Sequence, residues 1–252
     1  MREQPEQQAP PVQRLRIRYA KRGRLRFTSH RDFSRAFERA VFRARIPMAY
    51  SSGFNPHPRI SYANAAPTGS ASEAEYLEIA LAERLDPAAV HAELVEALPV
   101  GLDVLEVVES PGGSLADLLQ ASHWRVGTTA PLAVARAAVE AFLAADEVLV
   151  ERMMKKGLRE FDCRSAVVRL AVVEPAAPDA GATTAPGAGD TAELDLLLRH
   201  GVPSVRPDDV LTGLRNLTGL EVGEAPRLTR LAQGPFDETS QEVGDPLAVG
   251  RA

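Results

Sequence analysis

The fold is constrained most by the succession of strand-like and helix-like apolar patterns between Arg14 and Glu109. The segment RLRIRYA alternates strictly, with apolar residues on one side and arginines on the other. This alternation predicts a half-buried strand with a basic outer face. The next run, from Phe33 to Ala44, repeats its apolar residues at helical spacing and stops before Pro47, which predicts an amphipathic helix.

Three strands and one helix are predicted to follow: PRISYANAA, AEYLEIAL, the helix DPAAVHAELVEAL and the strand LDVLEVVES. Asp86 as N-cap and Pro87 at the first helical position mark the start of this second helix. The resulting β-α-β-β-α-β order is typical of a ferredoxin-like unit, an antiparallel sheet with two helices on one face. We expect this unit over residues 14–110, after a disordered tail over residues 1–13.

The second half repeats the order loosely, which predicts a second ferredoxin-like unit over residues 122–232 after a linker over 111–121. An Ala/Gly/Pro/Thr-rich stretch over residues 175–191 is expected to be a disordered insert. The residues over 233–252 are expected to be a disordered tail. The predicted fold class is α+β, with two tandem ferredoxin-like (βαββαβ) domains and antiparallel sheets.

The net charge of −5 conceals a basic block. Residues 14–59 contain 13 Lys or Arg against two acids, and the remaining 206 residues contain 16 Lys or Arg against 32 acids. Twelve of the 13 basic residues in the block are arginine, which suits bidentate binding of phosphate or carboxylate. A solvated charged face is the plain structural alternative.

Four arginines of the first predicted helix, Arg31, Arg35, Arg39 and Arg43, are four residues apart and form one stripe. Like charges at this spacing disfavour a helix, so a polyanion or an acidic partner protein is expected there. Pairing with the acidic second half is the structural alternative. Farther along the chain, Lys155 and Lys156 add a basic turn as a further binding candidate.

The loop after this helix, YSSGFNPHPRISYA, places His57 between two prolines that favour an extended backbone. Gly53 permits a turn, Asn55 can form hydrogen bonds, and Arg59 can hold an oxyanion. An irregular connection whose polar groups satisfy one another is the alternative.

Ser29, His30 and Asp32 open the helix, where free N–H groups and the helix dipole favour anions. Ser29 is expected to cap the helix, with Asp32 at the reciprocal position. We expect the loop to lie against this N-terminal half and to close over a bound anion.

His30, Asp32 and His57 are the candidates for general acid–base chemistry, although no arranged catalytic set is recognisable. A zinc or iron site formed by His30, His57 and Glu73 or Glu75 is the metal alternative. The sequence assigns neither a catalytic residue nor a metal ligand on this basis.

These motifs together carry a family resemblance. In order, LRFTSHRDFSRAFERA, PMAYSSGFNPHPRISYA and SEAEYLEI, followed later by KKG, DCR and RPDDVL, resemble bacterial radical-SAM-associated proteins. That family is encoded beside, or fused to, radical S-adenosylmethionine proteins. The resemblance covers residues 14–232 and omits the tails and the insert.

The resemblance implies a non-catalytic accessory protein whose partner carries the iron–sulfur cluster and S-adenosylmethionine. This chain has a single cysteine, Cys163, and so lacks a cluster-binding set of its own. Relatives encoded near RNase E/G-type and ribosomal proteins imply RNA or ribosome-associated partners.

We therefore expect RNA, or an RNA-linked substrate, to bind the basic N-terminal surface. The alternatives are a protein–protein adaptor without RNA binding, and a ribonuclease-like or hydrolytic enzyme using His30 and His57. A polar N-terminus, a single cysteine and the lack of a long apolar stretch predict a cytoplasmic protein without a membrane segment.

Overall fold

The computed structural model describes residues 7–154, 157–173 and 191–251. Over these ranges the chain is a mixed α+β protein with five α-helices and mostly antiparallel strands. It divides into two compact units. Unit 1 is Met1–Leu119 with Asp245–Ala252, and unit 2 is Gln120–Gly244.

Unit 1 follows a β-α-β-β-α-β order. Its elements are β1 (Gln13–Lys21), a 3-10 turn (Gly23–Phe27), α1 (His30–Arg43), β2 (Ile60–Ala63), β3 (Ala71–Leu81), α2 (Pro87–Ala97), β4 (Leu102–Glu109) and the short α3 (Leu115–Leu118). The strands lie in the order β4-β1-β3-β2, and every neighbouring pair is antiparallel.

The local signals in the sequence explain where these elements begin. The Ser29 side chain caps α1 by accepting a hydrogen bond from the Asp32 N–H at 3.2 Å, as predicted. Asp86 caps α2, and Pro87 occupies its first turn. The apolar sides of the strands and helices form one core: Leu15, Ile17, Phe33, Phe37, Leu77, Ile79, Val90 and Leu94 are among its buried members.

The predicted basic outer side of β1 is exposed at Arg14, but Arg16 is buried. The Arg16 side chain is only 2% exposed and donates to the carbonyls of Gly112 and Gly113 at 2.6 and 3.2 Å. It also pairs with Glu78, whose Oε2 lies 3.3 Å from the Arg16 Nε. Arg16 is buried because acceptors distant in sequence surround it, so this strand arginine contributes to stability and adds nothing to a surface charge.

Unit 2 repeats the order with an added hairpin. Its elements are β5 (Ala121–Pro131), α4 (Leu132–Ala144), β6 (Leu149–Met154), β7 (Gly157–Asp162), β8 (Val167–Val173), β9 (Thr191–Arg199), α5 (Pro207–Thr218), β10 (Arg227–Gly234), β11 (Phe236–Asp237) and β12 (Glu242–Val243). Four strands pair antiparallel in the order β10-β5-β9-β8. The strands β6 and β7 form a separate hairpin.

The C-terminal residues differ from the predicted disordered tail over 233–252. Leu247 is buried in an apolar cluster of unit 1 with Val108 and Leu115, and a 3-10 turn follows at Ala248–Gly250. Arg251 forms ion pairs with Glu106 and Asp245. One buried leucine and one paired arginine hold the tail against unit 1. Two such residues form no apolar pattern, so the sequence did not predict this order.

The predicted linker over 111–121 also contains structure, since α3 places Leu115 and Leu119 in the same cluster. At the N-terminus, Gln13 already belongs to β1. The predicted insert lies outside the described residues except for Thr191, which begins β9. No helix among the described residues is long and apolar enough to cross a membrane.

Candidate nucleic-acid interface

The four stripe arginines of α1 all point away from the core. Because Phe33, Phe37, Ala40 and Val41 turn one side of the helix inward, residues four apart on the other side remain exposed. Arg31, Arg35, Arg39 and Arg43 are exposed, and none forms an ion pair or hydrogen bond with any described residue.

Other arginines of the basic block are paired in unit 1. Arg14 lies 3.0 Å from the Glu78 carboxylate, and Arg18 donates to the Glu73 carbonyl at 2.8 Å. Arg22 pairs with both Glu73 and Asp103, and these acids raise the pKa of its guanidinium. Arg14, Arg16 and Arg22 therefore have acidic partners, whereas the stripe arginines of α1 form no ion pair with any described residue.

An exposed phenylalanine lies among these uncompensated charges. The Phe42 side chain is 83% exposed and shares a surface depression with Arg35, Glu38, Arg39 and Arg43. Residue 42 follows residue 35 by two helical turns, so both lie on one side of α1. We call the surface formed by Arg31, Arg35, Arg39, Phe42 and Arg43 the arginine face.

Phe42 is the residue that reasoning from the sequence missed, although a signal was available. The apolar positions of α1 that contact the core follow helical spacing, and Phe42 falls outside that spacing. An aromatic residue on the charged side of a predicted helix is therefore the pattern that identifies this surface.

The start of α1 is satisfied by local contacts. The Ser29 hydroxyl donates to the Asp32 carboxylate at 2.7 Å, in addition to accepting from the Asp32 backbone. The exposed His30 ring packs edge-on against Tyr62 of β2, with 4.9 Å between the ring centroids. These contacts hold the helix start against the sheet.

Tyr62 lies beneath His30 in a poorly hydrated position. Its hydroxyl is buried and has no hydrogen-bond partner among the described residues. The neighbouring Ser34 hydroxyl donates to the His30 carbonyl at 2.9 Å. Burial raises the pKa of Tyr62 to about 12, because the charged phenolate would lose its hydration there.

The proline-flanked loop folds back on itself. The Ser51 N–H donates to the His57 carbonyl at 2.9 Å, the His57 N–H donates to the Ser51 hydroxyl at 3.0 Å, and Arg59 donates to the Tyr50 carbonyl at 3.0 Å. Gly53 has φ of 132°, a conformation that favours glycine. The loop thus satisfies many of its own polar groups, the alternative that the sequence left open.

The loop is attached at a different place from the one predicted. Backbone bonds from Arg59 to Ala49 and from Ala80 to Arg59 tie it to the end of β3. No described contact joins Asn55, His57 or Arg59 to Ser29, His30 or Asp32. The loop follows the C-terminal end of α1, and the residue of the following strand that reaches the helix start is Tyr62. The described residues thus show no hydrogen bond, ion pair or ring contact between the loop and the start of α1.

The candidate catalytic residues lie in separate environments. Asp32 is engaged by Ser29, His30 packs on Tyr62, and the exposed His57 is held only through its backbone. No described contact brings the two histidines together.

The metal alternative has no matching geometry. Glu73 pairs with Arg22, and the buried Glu75 accepts from the Ala66 N–H at 3.1 Å. No group of three or more His, Cys, Asp or Glu residues suited to a metal ion occurs in the described ranges. Lys155 and Lys156 lie outside the described residues.

Comparison with known proteins identifies the family of this chain. A family model described as an uncharacterised protein conserved in bacteria (DUF2344) matches residues 14–207. No curated protein matched the chain. Among solved structures, the encapsulated DyP-type peroxidase from Mycobacterium smegmatis is 13% identical over 91% of this chain and 94% of that chain, with a TM-score of 0.19. A TM-score this low does not indicate a shared fold.

Proposed function

The chain belongs to the DUF2344 family of uncharacterised proteins conserved in bacteria, and we propose that it is a non-catalytic RNA-binding protein that assists a radical-SAM enzyme. The observation that carries the proposal is the lack of ion pairs along the arginine face among the described residues. Arg31, Arg35, Arg39 and Arg43 have no described ion pair, whereas Arg14, Arg16 and Arg22 of the same basic block have acidic partners.

The arginine face suits a phosphate backbone by charge and by length. From Arg31 to Arg43 the stripe extends about 18 Å along the helix at about 1.5 Å per residue. Each guanidinium can hold a phosphate through two parallel hydrogen bonds. Binding would release counterions from the RNA, which favours association at low salt.

The accessory role rests on the resemblance to radical-SAM-associated proteins and on cysteine chemistry. A [4Fe–4S] cluster is held by several cysteine thiolates, and this sequence has only Cys163, which is buried. As the resemblance implies, the partner would carry the cluster and S-adenosylmethionine, and this chain would present the RNA. Such a complex would operate in the cytoplasm.

The finer fold assignment is part of the same proposal. The order β4-β1-β3-β2 in unit 1 and the order β10-β5-β9-β8 in unit 2 both support tandem ferredoxin-like units. In unit 2 the hairpin of β6 and β7 would then be an insertion between the first helix and the second sheet strand. The two units would share one topology apart from that hairpin.

A comparison of captured material tests the RNA-binding function. Tagged wild-type protein and the Arg35→Glu/Arg39→Glu variant are recovered from lysates of a bacterium that contains the natural protein, with and without nuclease. We expect RNA with the wild type and much less with the variant. A radical-SAM protein captured by the wild type both with and without nuclease, together with no RNA on the wild type from the untreated lysate, would refute RNA binding and favour the adaptor.

The hydrolytic alternative, which would use His30 and His57, can be tested directly. Purified protein incubated with total RNA should leave it intact over hours at neutral pH. Cleavage that disappears in His57→Ala would contradict the non-catalytic assignment.

A further inference from the structure

We infer that the RNA held by the arginine face is single-stranded and that one of its bases stacks on Phe42. This inference rests on the proposed RNA-binding function and adds the class of nucleic acid. It follows from the exposure of Phe42, from the residues around it and from the distribution of aromatic side chains.

The exposed aromatic residues are confined to the basic block. Phe27, Phe42, Tyr50 and Phe54 are the aromatic residues with large exposed fractions in the described chain, and all lie between residues 27 and 54. Phe33 and Phe37 of the same helix are buried, as are Phe142 and Trp124 of unit 2. Aromatic side chains interleaved with arginines are the usual surface for unpaired bases.

Phe42 is the best candidate for stacking a base because it lies among several of the stripe arginines. Arg35, Arg39 and Arg43 line the same surface depression as the ring. A base placed on the ring would leave its flanking phosphates within reach of guanidinium groups on the same side of α1. Stacking removes apolar area from water, and the arginines supply the charge that phosphates require.

Glu38 also lines this depression, and it would repel a phosphate placed over the ring. Its carboxylate can instead accept a hydrogen bond from an exocyclic amino group of a base. The group facing Phe42 and Glu38 is therefore the base, and the phosphates lie toward the arginines.

The ring selects against a duplex. In A-form RNA the faces of the bases are covered by their neighbours, and only unpaired bases can be splayed onto an aromatic side chain. Paired RNA could still contact the arginines, but it would forgo the stacking contribution. We therefore expect the single strand to bind more tightly than the duplex.

Fluorescence anisotropy with a 5′-labelled RNA dodecamer of mixed sequence, alone or annealed to its complement, tests the inference. We expect Phe42→Ala to weaken single-strand binding about 5- to 150-fold, the range for loss of one stacked base, and to change duplex binding little. Leu217→Ala, which truncates an exposed apolar side chain on α5, is the matched control.

A second variant reads stacking directly. The chain has a single tryptophan, the buried Trp124, so Phe42→Trp introduces an exposed indole on the arginine face. We expect this variant to bind single-stranded RNA at least as well as the wild type, with strong quenching of its fluorescence. The Phe42→Leu variant, which keeps an apolar side chain but removes the ring, should bind as poorly as Phe42→Ala.

The failures are distinguishable. If the wild type binds both forms of RNA equally and Phe42→Ala matches it, RNA binding stands and the single-strand inference is overturned. If the wild type binds neither form at low salt, the proposed function itself fails, and the inference fails with it.

Discussion

Replacing Glu78 with glutamine should destabilise unit 1 strongly, because Glu78 is the acid that compensates a buried arginine. Its carboxylate accepts from Arg14 at 3.0 Å, from Arg16 at 3.3 Å and from the Ser110 hydroxyl at 2.8 Å. The Arg16 side chain is 2% exposed, so its charge cannot be hydrated when the carboxylate is lost.

The magnitude follows from what remains around Arg16. Removing one partner of a buried ion pair costs about 3–5 kcal/mol. The carbonyls of Gly112 and Gly113 still accept from Arg16 in the variant, so we expect the lower end of this range, about 3 kcal/mol. That is a large part of the total unfolding free energy of a domain, typically about 5–15 kcal/mol.

Urea denaturation at pH 7, followed by far-ultraviolet circular dichroism, measures this change. Glu109→Gln is the matched control, since the Arg84–Glu109 side chains are 63% and 48% exposed. An exposed pair contributes about 0–1 kcal/mol. If Glu78→Gln and Glu109→Gln shift the unfolding free energy equally, by less than about 1 kcal/mol, the reasoning about the buried arginine is refuted.

Two further predictions concern unit 2. Gly213→Ala should lower the unfolding free energy by about 1–3 kcal/mol, because the added Cβ would lie 2.8 Å from Val148 Cγ1 and 2.9 Å from Cys163 Sγ. The control is Gly201→Ala, whose Cβ would meet nothing within 4 Å. Equal melting temperatures for the two variants would contradict the prediction. Burial raises the pKa of the Cys163 thiol to about 12. Native protein at pH 8 should therefore react with a disulfide reagent far more slowly than denatured protein. Equal reaction rates would show that the thiol is accessible in the native protein.

The elements that the sequence predicts well are those with local causes. The start of α1 depends on Ser29 and Asp32, three residues apart, and the start of α2 depends on Asp86 and Pro87. The alternation in β1 predicts which side faces the core, because neighbouring residues of a strand point to opposite faces. Such signals need no knowledge of the rest of the chain.

The differences arise where partners are distant in sequence. Arg16 is buried by carbonyls 96 and 97 residues away, so the basic side of β1 could be predicted but its burial could not. The loop around His57 is placed by its bonds to Ala49 and Ala80, which no local pattern reveals. Leu247 is held by side chains more than 100 residues away.

The candidate site shows the same division. The arginine stripe follows from helical spacing alone, and its lack of described acidic partners required the structure. The sequence shows that Phe42 falls outside the core spacing of α1. Only the structure shows that it is exposed beside Arg35 and Arg39.

The most direct test of the account is the salt dependence of single-stranded RNA binding by the wild type and by Arg35→Glu/Arg39→Glu. Each phosphate neutralised in a single strand contributes about −0.7 to the slope of log affinity against log salt. We predict that the variant binds more weakly than the wild type and that its slope is shallower by about 1.4. The charge control, Arg215→Glu on α5, should bind with the affinity and slope of the wild type. Equal affinities and equal slopes for all three proteins would contradict the claim that the arginine face binds RNA.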